Sequence, residues 1–109
     1  MTTHNEPARL AASPEEAVRG AHLVSTDTWA SMGQEQERQQ RIADFAGFQV
    51  NEALMERAAQ GALFMHCLPA YRGLEISDTL LDSKYSAVWD EAENRLHAQK
   101  ALMAFLLGK

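Results

Sequence analysis

The chain has 109 residues, 46% of them apolar and 23% charged, with a formal net charge of −5. That suffices for one domain with a core but not for two lobes, and the acidic balance, with no basic patch along the sequence, argues against a nucleic-acid partner. No apolar run approaches the ~20 residues of a membrane span, Met1 to Glu6 carry no secretory signal, and the single cysteine suits a reducing cytoplasm.

Residues 1–12 read as a flexible lead-in, and 13–109 as the folded part. Ser13-Pro14-Glu15-Glu16 is a capping box with proline at the first helical position, so a short helix should start there and stop at Gly20. Ala21 to Thr26 reads as a buried strand. Gln34 to Asp44 is almost wholly polar, with Ile42 and Phe45 as its apolar footholds, and predicts a solvated surface helix among the less stable parts of the fold.

Phe48-Gln49-Val50 is an extended bridge. Asn51 can cap a helix to about Gln60 with Leu54, Met55 and Ala58 inward. Leu63 to His66 is a second strand, followed by a loop from Leu68 to Asp78 and a turn of helix at Thr79-Leu80-Leu81. Ser86 to Trp89 reads as a third strand. Asp90 then caps a long terminal helix, on which Ala98, Ala101, Leu102, Phe105 and Leu106 share one face and Leu96, Met103 and Leu107 widen it. That is more apolar surface than a terminal helix of so small a domain needs, and part of it expects a partner.

Strands alternating with helices predict an α/β fold: a partial doubly wound parallel sheet of about three strands, flanked by helices, with a long C-terminal helix. Ligands in such sheets sit at the carboxyl ends of the strands. Three of those ends carry polar groups: Asp27 to Gly33, His66-Cys67-Leu68-Pro69, and Asp90 to Arg95. Cys67 is open to three readings: a small buried apolar residue, a nucleophile, or a thiol lining a pocket. His66 is a poor base for it, because adjacent strand residues point to opposite faces. Asp27 and Ser31, with the backbone at Met32, could hold the charged end of an amino acid, or could simply cap the following helix. Arg95 near the start of the terminal helix invites an anion, phosphate for example, or a salt bridge to Glu91. The four histidines show no metal-ligand spacing.

Thr26-Asp27-Thr28-Trp29-Ala30-Ser31-Met32-Gly33-Gln34-Glu35, Phe64-Met65-His66-Cys67-Leu68-Pro69-Ala70 and Asp90-Glu91-Ala92-Glu93-Asn94-Arg95, in this order and spacing, resemble ornithine carbamoyltransferase, and the similarity extends over about residues 13–109. The resemblance implies transfer of the carbamoyl group of carbamoyl phosphate to L-ornithine, giving L-citrulline and phosphate, with no cofactor and no metal. Asp27 and Ser31 would hold the α-amino group and the backbone at Met32 the carboxylate. Cys67 and the Leu68 carbonyl would lie beside the reacting amine, and Arg95 would contact carbamoyl phosphate. Cys67 is then a pocket group rather than a covalent nucleophile, and Gln34 to Phe45 corresponds to a mobile loop and its helix.

Tyr71 departs from the family pattern, in which histidine is frequent after His-Cys-Leu-Pro-Ala. The family's Ser-Thr-Arg-Thr phosphate loop and His-Pro-x-Gln segment do not occur in these 109 residues. The expectation is therefore a C-terminal, ornithine-binding part that is inactive without an amino-terminal carbamoyl-phosphate domain, against which the terminal helix would pack. The family is typically homotrimeric. The rival expectation is a non-catalytic module that binds an amino acid or a protein partner.

Overall fold

Helix α1 (Pro14–Val18) is set by its cap. Ser13 Oγ accepts the Glu16 N–H at 3.1 Å, and the Glu16 carboxylate reaches back to the Ala12 N–H at 3.2 Å. Gly20, at φ +74°, then turns the chain into β1 (Leu23–Thr26). The structure is a computed structural model and describes residues 8–30 and 33–109.

Strand β1 pairs in parallel with β2 (Leu63–His66), in the register Leu23↔Leu63 through Thr26↔His66. The crossover that a parallel pair requires contains α2 (Arg38–Asp44), preceded by a single 3₁₀ turn, and α3 (Glu52–Glu56). Asn51 Oδ1 caps α3 by accepting the Leu54 N–H at 2.8 Å. This helix ends about four residues before the expected Gln60, although Ala58 still packs on the core.

The expected third strand is reduced to one parallel bridge, Phe64↔Ser86, made by the Phe64 N–H to Tyr85 C=O (2.7 Å) and the Ala87 N–H to Phe64 C=O (2.9 Å). Val88 and Trp89, expected in that strand, instead open the terminal helix α4 (Val88–Leu106). Ser86 Oγ accepts the Val88 N–H at 3.3 Å, so the chain turns helical two residues before Asp90. Asp90 is therefore not the cap but an acid in the first turn, where it suits the helix dipole. The α/β class, the parallel sheet and the long C-terminal helix are as expected.

Val18, Val24, Leu54, Met55, Phe64, Ile76, Leu80 and Val88 belong to one buried cluster. Helix α2 contributes no buried residue, and α4 contributes only Val88. Beyond its first turn α4 stands clear: Leu102 is 56% exposed, Phe105 80% and Leu106 72%. A radius of gyration of 16.4 Å follows, against about 13 Å expected for a compact chain of this length. An open groove of about 470 Å³ runs beside β1, lined by Pro14, Val18, Leu23, Phe48 and Leu54 among others. Among the described residues no helix is long and apolar enough to cross a membrane.

Candidate functional site

Parallel pairing in the register Thr26↔His66 makes Asp27 and Cys67 leave the sheet side by side at its carboxyl edge. The Cys67 thiol donates to Asp27 Oδ1 at 3.4 Å, and the same oxygen accepts the Thr28 N–H at 2.7 Å. Cys67 is exposed, which removes the reading of a small buried apolar residue. Partial desolvation, then the hydrogen bond to Asp27 and its charge, push the thiol above its ordinary value, with Glu91 adding a weaker push. A thiol held protonated is a poor nucleophile, so the arrangement fits a pocket wall better than covalent catalysis.

His66 lies just beneath, 1% exposed, and both of its ring nitrogens are committed. Nδ1 accepts the Leu68 N–H at 2.9 Å, which requires Nδ1 to be unprotonated and places the ring proton on Nε2. Nε2–H then donates to Glu75 Oε2 at 2.8 Å, and that oxygen also accepts the Tyr71 N–H at 2.9 Å. His66 is thus no base for Cys67, as strand alternation indicated. An oxygen of Asp27, a nitrogen of His66 and Cys67 Sγ do lie within 4.8 Å of one another. A cation there would have to take the imidazole lone pair from Leu68 or displace Glu75, so these donors do not form a ready metal site.

The neighbouring loops are tied to this edge. Arg41 of α2 donates to the Trp29 carbonyl at 2.9 Å, and Phe45 stacks on Trp29 with ring centroids 5.6 Å apart. Arg38 lies over the Tyr71 ring at 4.9 Å, so the residue that departs from the family pattern serves as a platform between α2 and the loop after β2. Ser31 and Met32, expected to hold the amino acid together with Asp27, lie outside the described residues.

Arg95 is exposed, in the third turn of α4 rather than the first, and makes no hydrogen bond or ion pair among the described residues. Glu91, four residues earlier on the same face, does not pair with it. Its carboxylate accepts the His66 N–H at 2.9 Å and so fastens the start of α4 to the end of β2. The structure therefore brings Asp27, Cys67 and Leu68 together, whereas Arg95 makes no hydrogen bond or ion pair with them and is related to them only by lying on the helix whose Glu91 bonds the His66 N–H. Sequence reasoning missed the part played by Glu91, an acid at the predicted helix start, and by Glu75, for which the sequence gives no signal.

Comparison with known proteins identifies the family. The family model for the aspartate/ornithine carbamoyltransferase Asp/Orn binding domain matches residues 1–106. The ornithine carbamoyltransferase of Chromohalobacter salexigens is 66% identical over 86% of this chain and 31% of its own length. The anabolic ornithine carbamoyltransferase of Pseudomonas aeruginosa is 64% identical over 91% of this chain and 32% of its own. The crystal structure of the anabolic enzyme from Campylobacter jejuni superposes with a TM-score of 0.81 at 42% identity, covering 90% of this chain and 32% of that one. The chain thus spans about a third of the length of the curated relatives it matches.

Proposed function

The chain belongs to the aspartate/ornithine carbamoyltransferase family, within its Asp/Orn binding domain, and from that premise we propose that it supplies the L-ornithine-binding part of an ornithine carbamoyltransferase. The observation that carries the proposal is the Cys67–Asp27 contact of 3.4 Å at two adjacent strand ends. It sets an acid for the substrate's ammonium group beside a neutral thiol for its side chain. In this reading Asp27 and Ser31 receive the α-amino group, the Met32 backbone the carboxylate, and Cys67 and the Leu68 carbonyl flank the reacting amine. Arg95 meets carbamoyl phosphate, supplied by an amino-terminal carbamoyl-phosphate domain of the kind the relatives' remaining length would hold. The setting is cytoplasmic, and the chemistry that of arginine metabolism.

The reaction requires the side-chain amine to be neutral, because an ammonium nitrogen has no lone pair to attack with. The amine nitrogen bonds to the carbamoyl carbon, a tetrahedral intermediate forms, and the C–O bond to phosphate breaks as the proton lost by the amine passes to the departing phosphate, which leaves as hydrogen phosphate. A cation such as Arg95 stabilises the charge that develops on the oxygens. Cys67 remains protonated throughout, consistent with a thiol pushed above its ordinary range.

The test mixes the 109-residue chain with the amino-terminal two-thirds of the Pseudomonas aeruginosa enzyme, adds ornithine and carbamoyl phosphate, and measures citrulline. We expect none from the chain alone, turnover from the mixture, and at least a hundredfold loss with Asp27→Asn, in the range usual for removing a positioning charge. Citrulline from the chain alone would contradict the requirement for a second domain. Saturable ornithine binding by the chain alone, with no turnover in the mixture, would favour the non-catalytic module.

A further inference from the structure

Glu75 lies in the loop after β2 and touches no residue assigned to substrate, yet it is fully buried. Burying a carboxylate is costly unless donors surround it, and an apolar residue of similar size often serves stability equally well. Here Oε2 has two donors, the His66 ring at 2.8 Å and the Tyr71 backbone at 2.9 Å, while Oε1 has no partner among the described residues. The acid is thus an uneconomical core residue, and its two bonds go to either end of the segment that carries Cys67 and Leu68.

We propose that Glu75 is a positioning residue: by fixing the orientation and tautomer of His66 and anchoring Tyr71, it holds residues 66–71 in the conformation that sets the Cys67 thiol against Asp27. The chain of contacts is continuous. Glu75 Oε2 takes the proton-bearing Nε2 of His66, which leaves Nδ1 bare to accept the Leu68 N–H at 2.9 Å. Leu68 is the one described non-glycine residue with positive φ, at +58°, a region that side chains with a Cβ rarely adopt. That backbone turn directs the chain away after Cys67, and the bond to Nδ1 satisfies its N–H. Glu91 fixes the start of the same segment by accepting the His66 backbone N–H. The proposal rests on the reading that Cys67 and Leu68 line the ornithine pocket, but the network itself is a property of the free chain.

The experiment therefore uses readouts that need no substrate. In the 109-residue chain, ¹⁵N NMR of the His66 ring reports the tautomer, and the pH profile of Cys67 alkylation by iodoacetamide reports the surroundings of the thiol. The wild-type chain is expected to show a bare Nδ1 and a midpoint above the ordinary thiol value of about 8.5. Glu75→Met keeps the volume, removes both acceptors and retains a cooperative melt. It is expected to release the tautomer and lower the midpoint towards the ordinary value, with alkylation near neutral pH rising about tenfold for each pH unit of the shift. Glu75→Gln keeps a carbonyl acceptor and is expected to restore both wild-type signatures. A wild-type ring with a protonated or unrestrained Nδ1 would overturn the proposal, as would Glu75→Met keeping the wild-type profile or Glu75→Gln losing it. In the citrulline-forming mixture Glu75→Met should lower turnover while Glu75→Gln preserves it. No turnover from the wild-type mixture would count against the carbamoyltransferase reading and leave the network result standing.

Discussion

Two apolar surfaces in this chain are treated in opposite ways. Around β2, Phe64, Ile76, Leu80 and Val88 are fully buried, drawn from four separate stretches of sequence. Along α4, Leu96, Leu102, Met103, Phe105 and Leu106 are all more than half exposed, though they are as apolar as the residues of the core. Both regions carry apolar residues at helical or strand spacing, so spacing alone does not decide burial. What differs is the presence of a facing surface within these 109 residues: β2 has one on both flanks, and α4 has one only over its first turn. The candidate site lies at the junction, where Glu91 of α4 bonds the last residue of β2.

The sharpest way to break the comparison is from the buried side. Phe64 is fully buried and is also the residue through which β2 bridges to Ser86. Phe64→Ala should cost about 3–5 kcal/mol, a large share of the roughly 5–15 kcal/mol that holds a domain of this size together. Circular dichroism of the variant should show no cooperative melt near room temperature. A melt displaced by only a few degrees would mean that the core around β2 is less tightly packed than the structure describes.

A smaller effect is expected at the cap of α3. Asn51 Oδ1 holds the Leu54 N–H at 2.8 Å, and this short helix places Leu54 and Met55 in the core. Asn51→Ala should lower the unfolding free energy by about 1 kcal/mol, and Asn51→Asp should retain most of it, by denaturant titration.

Much of the buried half could be read from sequence. The Ser13 and Asn51 caps, both strands and the polar α2 follow from local rules, because each depends on residues within a few positions. Ala87-Val88-Trp89 misled, because a three-residue apolar run suits a strand or the first turn of a helix equally well. The choice was made by the Ser86 hydroxyl and by burial of Val88. The pairing of Asp27 with Cys67 could be anticipated once both were placed at parallel strand ends. Glu75 could not: a lone acid in a loop with glycine and proline looks solvated, and only the long-range closure onto His66 buries it.

Smaller again is the response to acid at Glu52. Its carboxylate accepts hydrogen bonds from the Thr79 and Ser77 hydroxyls, the latter at 2.8 Å, joining α3 to the segment before α4. These bonds, Thr79 first, hold the Glu52 carboxyl below its ordinary value. A group depressed in the folded state stabilises it above the unfolded value, about 4.3, and loses that contribution as pH falls through the lower folded value. The site is open to solvent, so the expected loss between pH 6 and pH 3 is a fraction of a kcal/mol. Urea midpoints at the two pH values should differ less in Glu52→Gln than in the wild-type chain. An unchanged difference would assign the acid sensitivity to other carboxylates.

The smallest effect on the chain itself is expected where the apolar surface is most conspicuous. Leu102 and Phe105 lie on the exposed stripe of α4, beyond the turn that meets β2. If that stripe contributes nothing to this fold, Leu102→Glu with Phe105→Glu should change the unfolding free energy by no more than about 0.5 kcal/mol, the usual range for surface sites. The same pair should prevent citrulline formation in the mixture with the amino-terminal portion, because two carboxylates cannot enter an apolar interface unpaired. Loss of several kcal/mol from the chain alone would instead show that α4 folds back onto the core. The extended radius of 16.4 Å would then not describe the chain in solution, and small-angle scattering would give a radius near the 13 Å of a compact chain. Stability unchanged and assembly abolished is the pair of results that separates a helix belonging to this core from one whose apolar face is completed by a second domain.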